Sequence, residues 1–410
     1  MKILFVSHYF PPEELSMAFL VKELADYMAA RGHEVTVLTS YPNWPVGKCF
    51  AGFNSKVFTT EKLGELTVCR IPFFASPNGS FLRRALDFKS FEFNIKRYGK
   101  RLPKPDLIYV HVPPNEDAYA ADWLSRHFSV PFVLNVQDIH PDSAIELGYV
   151  KNPLLIRLLR RQERAMYDHT AHVTVIGENF RNRILKKGIS PGKVTVIPNW
   201  IDARMIQPMD RFNPLRYEWS ISADKFVVLY AGTFGRVHNT SMLIDAATVL
   251  DKMHSNIIFL LVGQGFDFNV NVALVKQLGL TNVIMKEFVP RARLSELQSL
   301  ADVSVVTLRS GFGTTSVPSK VLGYMSAGRG VIGLIDDDCD TAKLIREADA
   351  GVIIPGGSIE GFVEQLIIMS SNVDMVRMWG NNARRYVLDH LDSEVVLERA
   401  SALLESLVSV

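Results

Sequence analysis

A chain of 410 residues exceeds what one hydrophobic core usually serves, which predicts two domains of about 200 residues each. Its 48% apolar and 21% charged composition excludes a disordered chain, and a net charge of +2 argues against nucleic acid as the main partner. Cys49, Cys69 and Cys339 lie far apart without paired metal spacing, as structural thiols of a reduced compartment do, and nowhere do about 18 apolar residues run together, so any membrane contact is expected to be peripheral.

The opening MKILFVSHYF lacks the long apolar stretch and small-residue cleavage site of a signal peptide and reads as a first strand. Residues 16–31 follow with Phe19, Leu20, Leu24, Tyr27 and Met28 at helical spacing and Gly32 as a stop, which predicts a crossover helix. Further strands are expected at EVTVLTS, LTVCRIP, DLIYVHV, PFVLNVQD, HVTVIG and KVTVIP. Within 81–104, Phe81, Ala85, Phe88, Phe91, Ile95, Tyr98 and Leu102 form an apolar stripe, and eight Lys or Arg against Asp87 and Glu92 give a local +6. That segment is either a crossover helix with a solvated basic face or a docking element for an anionic membrane.

After IPNWID comes an irregular stretch with Pro208 and Pro214, and the rhythm restarts with KFVVLYAG, NIIFLLVG, NVIMKEF, DVSVVTL, GVIGLID and GVIIP. The expected fold is therefore α/β with two doubly wound domains, 1–203 and 204–390, each a mostly parallel sheet with helices on both faces. From Val373 the chain reads as two helices with a break near Asp392, the last one spanning 391–410.

In such sheets ligands bind beyond the carboxyl ends of strands. YAGTFGRVHNT ends a strand at Gly232, where small Thr233 and Gly235 permit close approach and Arg236 offers a charge for a phosphate; simple turn chemistry explains the glycines equally well. In SVPSKVLGYMSAGRGVIGLID, Pro318 suits a first helical turn, and Ser319 and Lys320 stand where a helix begins: a sensible diphosphate cradle, or an exposed cap and a solvated lysine. Arg329, before the next strand, is a second candidate cation. The DDDCD run at 336–340 lacks the Gly and terminal Glu of a calcium loop and reads as a polar rim, and no metal is expected. VQDIHPDSA places Asp138, His140 and Asp142 after one strand, and VHVPPNED places His111, Glu116 and Asp117 around the end of another. Singly each suits a turn; together they mark one loop cluster.

HYFPPE, RGHEVTVLTSYPNWPVG, PDLIYVHVPP, PFVLNVQDIHPDSAIELG, VTVIPNWID, YAGTFG, VPSKVLGYMSAGRGVI and GVIIPGG, in this order, resemble family 4 of the glycosyltransferases, retaining enzymes of GT-B fold, over essentially the whole chain. The likeness is to bacterial enzymes of O-antigen, colanic-acid and exopolysaccharide assembly. It implies two Rossmann-like domains facing each other across a cleft. The donor site would then use Gly232, Thr233, Arg236, Ser319, Lys320, Arg329 and the loop at Val289, and the acceptor side Glu13, Tyr41, Asn43 and His140, with Asp138 and His111 as candidate catalytic groups. Two glutamates common in the family are replaced here by Thr315 and Gly323.

The implied reaction moves a hexose or amino-hexose from a UDP- or GDP-sugar to a hydroxyl of a saccharide or lipid-linked saccharide, without cofactor or metal. The expected location is cytoplasmic, peripheral on the inner face of the plasma membrane. Two other readings stay open: a GT-B-fold epimerase acting on the sugar nucleotide without an acceptor, and, suggested by the missing glutamates, a non-catalytic sugar-nucleotide-binding partner.

Overall fold

Short runs of Val, Ile and Leu flanked by turn residues form strands buried on both faces, as parallel sheets require. In the computed structural model, described for all residues except 45–46, 75–80, 147, 236, 314–316, 355–356 and 409–410 and for all side chains of these helices except 81, 82 and 85, the chain divides into two units. One comprises Met1–Asn199 with Val396–Val410, the other Trp200–Val395.

The first unit carries β1 (Lys2–Ser7), β2 (Glu34–Thr39), β3 (Thr59–Leu63), β4 (Leu66–Arg70), β5 (Leu107–Val112), β6 (Phe132–Val136), β7 (His172–Val175) and β8 (Val194–Val196). They lie in the order β3-β4-β2-β1-β5-β6-β7-β8, parallel except for β3. Pairing of Ser7 with Thr39, and of Val112 with Val136, brings the loops after β1, β2, β5 and β6 out along one edge. The strand β3 escapes the sequence reading because TTEKL shows no apolar alternation: all five residues are exposed, and only backbone pairing to β4 makes it a strand.

The second unit carries β9 (Phe226–Ala231), β10 (Ile257–Val262), β11 (Val283–Lys286), β12 (Val303–Thr307), β13 (Gly330–Leu334) and β14 (Gly351–Ile353), all parallel, in the order β11-β10-β9-β12-β13-β14. Alternation along β9 sends Val227 and Leu229 into one core and Val228 and Tyr230 into the other, so each face is covered by its own apolar layer.

Helix Val373–Tyr386 passes through a π turn, Val387–Leu391, to a break at Asp392. There the carboxylate accepts the Ala203 and Glu394 amides at 3.1 and 2.9 Å. Helix Ser393–Ser406 then reaches the first unit, where Arg31 bonds Glu398 and Glu405 at 3.0 Å each. Exposed ion pairs contribute little, so the attachment rests mainly on buried Val396, Leu397, Ala400 and Leu404.

Helix Phe81–Gly99 buries Phe91 and Ile95 of the expected stripe but leaves Leu86 58% and Phe93 63% exposed. The helix ends at Gly99, which packs closely against helix Asn115–Phe128: a Cβ at 99 would lie 2.9 Å from a methyl of Leu124. Leu102 of the expected stripe therefore lies beyond it.

Candidate functional site

At the carboxyl edge of the second sheet, the loops after β9 and β10 touch backbone to backbone. A Cβ on Gly263 would lie 1.9 Å from the Gly232 carbonyl oxygen, and one on Gly265 would lie 2.6 Å from that of Phe234. Glycine is required at both positions by this approach. Two buried tyrosines then pin the end of β9. The Tyr324 hydroxyl accepts the Ala231 amide at 2.8 Å and donates to the Ala231 carbonyl at 3.1 Å. The Tyr230 hydroxyl donates to the Thr233 carbonyl at 2.7 Å and accepts the Lys320 amine at 2.8 Å.

Lys320 opens helix Lys320–Ser326, preceded by exposed Ser319, whose side chain makes no capping bond. Its stem lies over Gly232, where any Cβ would meet Lys320 Cε at 2.7 Å. Burial, with no carboxylate partner among the described residues, pushes the amine down to about 7. Val289 sits half-buried in the loop after β11, on the same edge. Arg236 and Thr315 lie outside the described residues. The Gln298 amide occupies the space beside Gly323, 2.5 Å from where a Cβ would be, so a side chain there would have to displace it. Asp336 accepts Ser310 Oγ at 2.8 Å and the Gly311 amide at 2.7 Å, so the first residue of the acidic run ties down the loop leading toward Lys320.

Arg329 does not join this group. It precedes β13 and therefore lies at the amino edge, the opposite end of the strands from Gly232 and Lys320, where its guanidinium donates to the Met209 carbonyl at 2.9 Å. Spacing in the sequence shows that Arg329 borders a strand; in a parallel sheet a loop before a strand opens on the wrong edge for the ligand.

In the first unit, Asp138 and His140 leave β6 and His111 lies near the end of β5, on one edge. Burial raises the Asp138 carboxyl to about 7 and lowers the His111 imidazole to about 4. His111 Nε2 is buried and has no hydrogen-bond partner among the described residues. Burial also lowers His140, against the opposing pull of Asp142.

Glu13, Tyr41 and Asn43, expected to meet an acceptor, instead hold their own loops. Glu13 is fully buried and accepts the Asn43 and Trp44 amides at 2.8 and 2.9 Å and the Phe10 amide at 3.3 Å. Burial still lifts its carboxyl, although these three N–H groups favour the charged form. The Tyr41 hydroxyl bonds Thr59 Oγ1 at 2.7 Å and the Val57 carbonyl at 3.0 Å, and Asn43 Nδ2 donates to the Tyr41 carbonyl at 3.1 Å. A carboxylate whose oxygens already receive three backbone donors clamps the loops after β1 and β2 and has little left for a ligand.

One feature of this edge is absent from the sequence reading. His8, directly after β1, is buried among Tyr9, Phe73, Phe88 and Phe91, with Nε2 3.7 Å from Asp87 Oδ1. Burial drives His8 down to about 3 and Asp87 up to about 7, so desolvation outweighs their attraction and favours the uncharged forms. Asp117, fully buried on the helix after β5, is likewise pushed up. His8 could have been noticed as the residue after a strand, whereas Asp87 looked like one acid in a basic helix.

Among the described residues no cluster of His, Cys, Asp or Glu has a metal-holding arrangement. A model of the glycosyl transferase 4-like domain matches residues 17–200, and a model of glycosyl transferases group 1 matches 213–386. The chain is 26% identical, over 97% of its length and 98% of the relative's, to WcaI of Escherichia coli (strain K12), named as a colanic acid biosynthesis glycosyl transferase. Sucrose-phosphate synthase from Thermosynechococcus elongatus shares the fold with TM-score 0.76 and 17% identity, covering 100% of this chain and 99% of the other. Anabaena HepE in complex with UDP and glucose does so with TM-score 0.72 and 15% identity, covering 99% and 100%. With two Rossmann-like sheets of GT-B type, the 4-like model on its first half and the group 1 model on its second, the chain belongs to this family of two-domain glycosyltransferases.

Proposed function

We propose that the chain transfers a hexose or amino-hexose from a UDP- or GDP-sugar to a hydroxyl of a lipid-linked saccharide in surface-polysaccharide assembly, with retention at the anomeric carbon and without a metal. The observation that carries this reading is Lys320, an amine with no carboxylate partner among the described residues, held over a glycine turn at the carboxyl edge of a parallel sheet. An amine there answers charge on a departing diphosphate, the electrostatic task a cation otherwise performs. The complex of HepE with UDP and glucose, and the naming of WcaI for colanic acid biosynthesis, support the donor and pathway class. Asp138 and His111 are the proposed groups on the acceptor side.

Incubating the protein with a panel of sugar nucleotides, with and without saccharide acceptors, tests the reading. Nucleotide release that depends on acceptor is the expected result. Conversion of the donor alone into a new sugar nucleotide would mean an epimerase, and tight binding without turnover on any acceptor a binding partner.

A lipid-linked acceptor requires access to a bilayer, and no helix among the described residues is long and apolar enough to cross one. Two helices of the first unit carry the features of surface docking. Helix Phe81–Gly99 presents Leu86 and Phe93 beside exposed Arg83, Arg84 and Arg97. Helix Pro153–His169, unremarked in the sequence, leaves Leu154 78% and Leu158 52% exposed among Arg157, Arg160 and Arg161. Exposed leucines between arginines suit an anionic headgroup layer, which attracts each basic side chain by about 1 kcal/mol. Co-sedimentation with anionic vesicles is expected at low salt, weakened by high salt and by Leu154→Ser with Leu158→Ser; equal recovery in the supernatant under all conditions refutes docking.

A further inference from the structure

Tyr230 lies wholly inside the second unit, on a strand face that packs into the core, yet its hydroxyl reaches the carboxyl edge of the sheet. The single proton of that hydroxyl is committed to the Thr233 carbonyl at 2.7 Å, so its lone pairs face outward and receive the Lys320 amine at 2.8 Å. The amine also stands 4.1 Å from the centre of the Tyr230 ring. Gly232 leaves the space for this pairing, since a Cβ there would strike Lys320 Cε at 2.7 Å.

An ammonium has three N–H donors, and among the described residues Tyr230 takes one. We infer that Tyr230 is the positioning residue of the donor site: its locked hydroxyl aims the Lys320 amine across the Gly232 turn, leaving the remaining donors for the oxygens of a nucleoside diphosphate. This inference rests on the reading of Lys320 as the diphosphate contact.

The pairing also governs the proton inventory of binding. Among the described residues, the titratable groups around the amine are Tyr230 from β9, Tyr324 from its own helix and His238 from the loop after β9, and none of these is an acid ionised near neutral pH. Burial has already brought Lys320 down to about 7 and His238 to about 3. Among the described residues the Tyr230 oxygen is the acceptor that this amine reaches, and a diphosphate arriving above neutral pH draws a proton from solvent onto Lys320. Removing the hydroxyl takes away an acceptor that favours the charged form, so the free amine loses its proton at lower pH.

The test is UDP affinity measured by calorimetry from about pH 5.5 to pH 8 for the wild-type chain and Tyr230→Phe. Where the amine is protonated in both proteins the variant should bind only modestly more weakly, through loss of aim alone, and by pH 8 the deficit should widen by about a further tenfold, the worth of one hydrogen bond to a charged group. Ionisation of UDP itself affects both proteins alike and cancels in the ratio. A ratio constant across the range, whatever its size, would mean that Tyr230 serves packing alone and overturns the inference. Gly232→Ala, which pushes the amine off an intact Tyr230, should show the same trend; should Tyr230→Phe fail to fold, this variant decides, and a flat ratio overturns the inference. Lys320→Ala separates the two levels: unchanged UDP affinity there removes the donor-site reading itself, whereas weakened binding combined with a flat Tyr230→Phe ratio removes only the positioning role.

Discussion

Lys320→Ala is expected to weaken UDP or GDP binding by about ten- to a hundredfold, the range for losing a charge-assisted bond to phosphate. Turnover at saturating donor should fall as well, because charge on the diphosphate grows as the sugar departs and the amine answers it most strongly there. The fold should survive. Lys320 has no carboxylate to orphan among the described residues, and burial already disfavours its charge, so removing it relieves desolvation as it removes packing. Lys320→Met, which keeps the apolar stem, isolates the charge. Titration calorimetry with UDP alongside a thermal melt gives both readouts; unimpaired nucleotide affinity in both variants would refute the assignment.

Asp138→Asn is expected to lower kcat by about a hundredfold while leaving UDP affinity near that of the wild type, the pattern of a group acting on the reaction and not on the donor. The pH dependence carries the sign. Burial raises the carboxyl to about 7, so below that pH it is mostly protonated and unable to orient or accept the proton of an acceptor hydroxyl; activity should rise through neutrality and this limb should vanish in the variant. Stability runs the other way. A carboxyl with a folded-state pKa above its unfolded value stabilises least once it is ionised, so above about pH 7 the Asn variant should melt higher than the wild type. A variant that melts lower, or that retains full turnover, would make Asp138 a turn residue of the loop after β6.

Much of the architecture is legible in the residues. Strand after strand shows as a short apolar run, because a parallel strand buried on both faces leaves little room for polar residues. The restart at KFVVLYAG marks the second sheet, and Ser319 and Lys320 stand out because a proline and a capping residue announce a helix start. Thr59–Leu63 stays invisible because its strand character comes from a partner's backbone and not from its own side chains.

The site is another matter, since the role of a polar residue depends on partners distant in sequence. Glu13 and Lys320 both follow segments that suit a ligand loop. The fold gives Glu13 three backbone donors from its own and the neighbouring loop, and gives Lys320 a tyrosine hydroxyl 90 residues away. Arg329 and Lys320 are nine positions apart and look alike as cations, yet chain direction in a parallel sheet sends one to the amino edge and the other to the carboxyl edge. Local pattern records which faces must be buried, so the sheets could be read from it. Which charges remain free is decided by desolvation and hydrogen bonding among residues that meet only when the chain has folded.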